Sequence, residues 1–287
     1  MGEGTPAQRL QHRPLSHPHP LADADILKWQ TRQGELAWER EGEGCYPLSV
    51  HNAGASVDGL LIEWAPQLAL GAAMTIGLAF ATLPCGLALG LAAALAKDSH
   101  SPWLRGAGET YTTIFRGLPE LLTLLLIYYG SQILTQNLAD TLGLPISVNI
   151  SPFVAGVIAL SLVFGAYASE VLLAALRGVE RGQIEAARSF GMPPRMVFWR
   201  IAAPQAIRIA LPGLGNNWLT LLKDTSLVSV IALSDLLRVT SVAVERTRQP
   251  FVFYAAACAI YLVMTAVSTL ALARAERAAQ RGWRRPS

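Results

Sequence analysis

Residues 65–96 contain no Asp, Glu, Lys or Arg, an uncharged run of 32 positions. About 20 helical residues cross the hydrocarbon core of a bilayer, so this run is long enough to span one. Gly71, Gly77, Gly86 and Gly90 within it predict close packing against other helices rather than exposure to lipid. Four more stretches read the same way: residues 111–136, 152–176, 209–233 and 251–273. The second of these is interrupted early by Arg116-Gly117-Leu118-Pro119-Glu120. Residues 97–108 read as a short polar turn and residues 234–250 as a polar amphipathic helix outside the bilayer. With 52% apolar residues, 15% charged residues and a mean hydropathy of +0.36, the chain is not an ordinary soluble domain. The prediction is an all-α integral membrane protein with five transmembrane helices.

Five crossings put the two ends on opposite sides, and the distribution of positive charge orients them. Lys97, Arg105 and Arg116, the six arginines from Arg177 to Arg208, and the arginines from Arg274 onward all fall on one side. The opposite loops hold only Arg238, Arg246 and Arg248. The C-terminus and residues 177–208 are therefore expected in the cytoplasm, and the N-terminus outside.

Three regions follow: a polar N-terminal tail (1–59), a membrane domain (60–280) carrying the cytoplasmic loop 177–208, and a basic end (281–287). The tail is expected to be disordered, with a short surface helix over residues 26–40. His12, His17 and His19 stand among prolines, a composition that fits a solvated tail better than a metal site. The tail has no basic start followed by an apolar core, so it does not read as a signal peptide. A translation start near residue 57 would account for it, and mass spectrometry of the native N-terminus tests that. Cys45, Cys85 and Cys258 have no metal-like spacing; the last two lie in apolar runs and are expected to be buried.

The loop holds too many guanidinium groups to sit in lipid. Residues 183–190 have helix-forming composition, with Ile184, Ala187 and Phe190 near one face. Gly191 permits a left-handed stop, and Pro193-Pro194 opens a second helix bearing Met196, Phe198, Trp199 and Ile201. Such a pair of helices fits a protein-docking surface and, equally, a juxtamembrane segment lying on anionic lipid.

Glu185-Ala186-Ala187, then Gly191, Ile201 and Pro204, have a spacing that resembles the signature loop of permease subunits of bacterial ABC importers. Ala203 stands where that family usually has Leu, which implies a smaller docking contact. Residues 115–122, 127–130, 165–170, 211–218 and 221–229 resemble the polar-amino-acid branch, in particular histidine, basic amino acid and opine permeases. The likeness covers about residues 57–280. It implies the methionine-importer-like ABC permease fold in the bacterial inner membrane. It also implies a dimer of ATP-binding subunits gripping the loop, a second permease subunit (the same or homologous), a periplasmic solute-binding protein and an amino acid solute. No nucleic acid and no cofactor are implied. The chain contains no Gly-Lys pair, hence no phosphate-cradling loop of its own, so hydrolysis would belong to another subunit.

Charged groups at membrane depth are costly and face a cavity or a partner. Glu170 either meets a cationic solute or pairs with Lys223, and Asn216 and Asn217 either line the solute path or join helices. Glu120 is expected to pair with Arg116 four residues back. Asp224 stands where relatives commonly have a small polar residue, without an explanation in the sequence. The alternatives are an ion-coupled secondary transporter using Glu170, which would call for matched inverted halves that five spans do not supply, and a sensory membrane subunit that binds an ATPase without transport.

Overall fold

The computed structural model describes residues 28–32, 35–40, 43–46, 57–141 and 150–280. The chain divides into two units, Met1–Ala55 and Ser56–Ser287. In the first, strands β1 (Lys28–Arg32), β2 (Glu35–Arg40) and β3 (Glu43–Tyr46) form an antiparallel sheet in the order β1-β2-β3. The expected helix over residues 26–40 is thus corrected to strands. The register sets Trp29 opposite Trp38 and Arg32 opposite Glu35. The histidines of the tail and residues 281–287 lie outside the described residues.

The second unit is all helical. Its elements are α1 (Val57–Lys97), α2 (Pro102–Gly117), α3 (Glu120–Thr141), α4 (Pro152–Arg177), α5 (Arg181–Ser189), α6 (Pro194–Val197), α7 (Ala203–Asp224), α8 (Leu236–Thr247) and α9 (Pro250–Gln280). A π turn, Phe198–Ala202, joins α6 to α7, and a 3₁₀ segment, Thr225–Ile231, follows α7. Gly59–Lys97, Pro152–Arg177 and Pro250–Ala279 are each long and apolar enough to cross a membrane, and two bent helix pairs bring the possible crossings to 5.

α4 is the central helix. Over its most apolar window 56% of residues are buried inside the protein, against 6% for α9, whose outer face is left to lipid. Leu78, Leu124, Leu160, Phe164, Leu221 and Val228 form the main core where α1, α3, α4 and α7 meet. α1 and α4 approach through small residues, as expected of membrane helices. A Cβ added at Gly90 would sit 2.9 Å from Ala168 Cβ and 3.0 Å from the Gly165 carbonyl. Of the four glycines predicted to pack, Gly77 has open space instead.

Several boundaries differ from the sequence reading. Pro102 starts α2 directly, so the polar turn shrinks to residues 98–101. The interruption at Leu118-Pro119 is a full break: α2 and α3 meet at 106°, leaving α3 as the apolar limb. Span four does not begin at residue 209, because helix runs on from Pro194 through the π turn into α7. Pro204 has no N–H to offer the Arg200 carbonyl, and the ladder widens there, with Ala203 N donating to Phe198 O.

α8 is amphipathic as expected, but it is not a freely solvated helix. Asp235 is fully buried and caps it, its carboxylate accepting from Leu237 N at 3.2 Å and Arg238 N at 3.0 Å. Thr75 Oγ1 on α1 accepts from Leu236 N at 3.2 Å. Leu236, Ala243 and Phe253 then pack with Leu60 and Leu68 of α1. Cys85 and Cys258 are exposed on α1 and α9, not buried: both sit on helix faces turned away from the bundle.

Candidate functional site

Two places bring the singled-out residues together, the polar loop and a cavity between α3, α4 and α7. In the loop, α5 ends in a Schellman turn. Gly191 N donates to Arg188 O at 2.9 Å and Met192 N to Ala187 O at 3.3 Å, with Gly191 in the left-handed region at φ 76°. Pro193 precedes α6 and Pro194 is its first residue, so the two-helix prediction holds.

The loop is anchored on one side only. Ala187 and Val197 are buried, and Ile184 packs against Ala175, Val179, Ala206 and Ala210 at the roots of α4 and α7. Gln205 on α7 donates a hydrogen bond to the Gln183 side chain on α5. Arg177 Nε pairs with Asp98 Oδ1 at 3.2 Å, tying the ends of α4 and α1 together beneath it. On the free side, Phe190 is 89% exposed and Trp199 62%, a large apolar surface among exposed arginines. Phe190 therefore does not share the buried face of Ile184 and Ala187, as its spacing predicted. It lies at the helix cap, where the chain is already turning away. Glu185, Ala186, Gly191 and Pro204 are exposed, and Ile201 is half-buried.

The cavity has a volume of about 240 Å³. Its walls are Glu120 from the first turn of α3; Leu160, Phe164 and Tyr167 among others from α4; and Asn216, Asn217, Thr220 and Asp224 from α7. The polar residues of α7 are spaced so that one helix face carries them all. That spacing in the sequence is the signal that would have found Thr220 and Asp224 alongside the two asparagines. Among the described residues, Asn217 Nδ2 is buried with no hydrogen-bond partner.

Glu170 and Lys223 are not in the cavity wall. Glu170 Oε1 accepts from Lys97 Nζ at 2.6 Å and from Arg116 Nη1 at 2.9 Å, and Lys97 Nζ also reaches Thr112 Oγ1 at 3.2 Å. The expected Glu170–Lys223 pair is thus not made, and Lys223 is exposed. The expected Arg116–Glu120 pair is not made either, because the bend at Pro119 removes Glu120 from the helix that carries Arg116. Arg116 instead lies over the Tyr167 ring, 5.6 Å from its centroid, so the ion cluster adjoins the cavity through Tyr167.

Residues 86–280 match the family described as binding-protein-dependent transport system inner membrane component. The arginine ABC transporter permease protein ArtQ of Escherichia coli is 45% identical over 232 residues, covering 77% of this chain and 98% of that protein. The nopaline transport system permease protein NocQ of Agrobacterium fabrum is 43% identical over 222 residues, covering 77% and 94%. A crystal structure of an amino acid ABC transporter with histidines superposes with a TM-score of 0.65 at 36% identity, over 76% of this chain and 96% of that one. The inward-facing MetNI methionine transporter shares the fold, with a TM-score of 0.57 at 17% identity over 77% and 96%.

Proposed function

We propose a mechanism from the premise that this chain belongs to the family of binding-protein-dependent transport system inner membrane components, as a multi-pass permease subunit of an ABC importer for amino acids or opines. The loop 177–208 faces the cytoplasm and docks in a cleft of a separate ATP-binding subunit, and the solute passes through the cavity beside α7. One observation carries this reading. A single helical run, α6 through the π turn to the end of α7, starts in the exposed loop and ends in the cavity wall. Movement imposed on Trp199 by a partner is then delivered to Asn216, Asn217, Thr220 and Asp224 without passing through a flexible connection.

Glu185, Ala186, Ala187, Gly191, Ile201 and Pro204 serve the docking, with Gly191 setting the angle between the two helices. Asn216 and Asn217 face the solute. Glu170, already matched to two cations, is a positioning residue that joins α1, α2 and α4. The assembly contains a dimer of ATP-binding subunits, a second permease chain and a periplasmic solute-binding protein. The N-terminus lies outside, following the charge distribution.

The test is ATP-dependent amino acid uptake by the assembled importer in proteoliposomes. Gly191→Val should abolish uptake while the purified permease keeps its helical content and thermal unfolding. Uptake at the wild-type rate would sink the docking role. Uptake driven by a proton gradient without ATP would support the secondary-transporter reading instead.

A further inference from the structure

α2 is the first limb of a bent helix pair, and its contacts set its depth. Gly108 stands against the last turns of α1: a Cβ there would sit 2.7 Å from Lys97 Cγ and 3.2 Å from the Ala93 carbonyl. Near the other end of the helix, Arg116 holds the same Glu170 oxygen that Lys97 Nζ holds. α1 ends at Lys97, and the Arg177–Asp98 pair ties that end to the end of α4, so Lys97 marks where these helices leave the bilayer. A helix climbing toward the opposite face would rise about 12 Å between Gly108 and Arg116. α2 instead stays at the level of Lys97, and the chain then turns through 106° into α3.

The helix presents three faces at its 3.6-residue period. Gly108 and Thr112 are buried against the bundle, and on the same side the Tyr111 hydroxyl donates to Leu162 O at 2.7 Å. Arg105, Glu109 and Thr113 make an exposed polar face. Trp103, Ala107, Thr110 and Ile114 make a third face, exposed and largely apolar, with Trp103 88% exposed. Tryptophan suits a membrane–water interface, with an apolar ring and a polar N–H. Leu91 and Leu95 are exposed on α1 over the turns that hold α2, so an apolar surface continues at this level. Among the described residues Arg105 makes no ion pair, which leaves its charge open to an anionic phosphate. We propose that α2 is a membrane-surface helix seated on phospholipid of the leaflet where α1 ends, and that α3 crosses the bilayer without it. The apolar face, led by Trp103, lies against acyl chains and Arg105 takes a lipid phosphate, as in an amphipathic helix lying in the interface plane. On the orientation proposed above, that leaflet is the cytoplasmic one. The 22 residues of α3 make about 33 Å of helix, enough to span the hydrocarbon core alone.

The full-length chain carrying Cys45→Ser, Cys85→Ala and Cys258→Ala is placed in nanodiscs of phosphatidylethanolamine and phosphatidylglycerol. Trp103→Cys, Glu109→Cys and Ile114→Cys each receive a nitroxide, whose collisions with oxygen and with a water-soluble nickel chelate report its depth. Positions 103 and 114 should both lie about 5–10 Å below the nearer phosphate plane, with position 109 open to the chelate. If α2 were the first limb of a span, positions 103 and 114 would differ in depth by about 16 Å, and that result overturns the proposal. Chelate contact at 103 as strong as at 109 overturns it too. So does shielding of 103 and 114 from both reagents, which would put a protein partner on this face. Depth counted from the nearer phosphate plane is the same whichever end of the chain is cytoplasmic, so a reversed orientation leaves this outcome intact. Where a labelled variant fails to assemble, Trp103→Phe supplies the reading. The fluorescence lost relative to the wild type should be quenched more by lipids brominated near the headgroup than by lipids brominated at the chain ends. Equal quenching, or none, overturns the seat on lipid.

Discussion

Glu170 and Gly191 are single residues whose roles follow from their immediate partners. The Glu170 carboxylate holds Lys97 and Arg116 together, and its side chain is 36% exposed, so solvent screens part of the interaction. Glu170→Gln should therefore lower stability by about 1 kcal/mol, read as a drop in thermal unfolding temperature in detergent. Solute affinity should stay within about two-fold, since the residue does not line the cavity. A large affinity loss with unchanged stability would return Glu170 to the solute path. At Gly191 a Cβ meets open space, so Gly191→Ala costs only the left-handed backbone, about 1–2 kcal/mol. It should give a milder uptake defect than Gly191→Val, and equal defects would point to a role other than the turn.

Among the elements, α1 and α8 depend on close backbone approach. Gly90→Leu should block the seam between α1 and α4, where even one added carbon falls 2.9 Å from Ala168. The expected outcome is loss of monodisperse protein on gel filtration, while the same change at Gly77, in open space, leaves assembly intact. At the start of α8, Asp235→Ala leaves two part-buried N–H groups without their acceptor, a cost of about 1 kcal/mol. Asp235→Asn keeps an acceptor and should recover most of that stability in the same thermal assay.

At the scale of the whole molecule, the continuous run from Pro194 to Asp224 links the exposed loop to the cavity. One alanine inserted after Gln205 would rotate the two ends relative to each other by about 100°. The prediction is loss of ATP-driven uptake with solute binding at the cavity retained, measured on the same preparation. Retention of both would show that the run is not the coupling element.

The apolar periods, the charge asymmetry and the Gly191–Pro193–Pro194 punctuation are local properties, and they carried the spans, the loop and its turn into the sequence reading without tertiary information. So did Asn216 and Asn217 as cavity candidates, because polar residues on an apolar helix must face something other than lipid. The pairing of Glu170 was beyond the reach of sequence, since Lys97 lies 73 positions away and Lys223 was as good a candidate on charge alone. The bend of 106° at Pro119 decided it, by sending Arg116 to Glu170 and Glu120 into the cavity. Phe190 changed sides because helix ends turn away from the axis that periodicity assumes. Which helix faces exist was thus written in the order of residues. Which charges meet across them was decided by packing, because a carboxylate inside a membrane protein takes its cation from whichever helix the fold brings within hydrogen-bond reach.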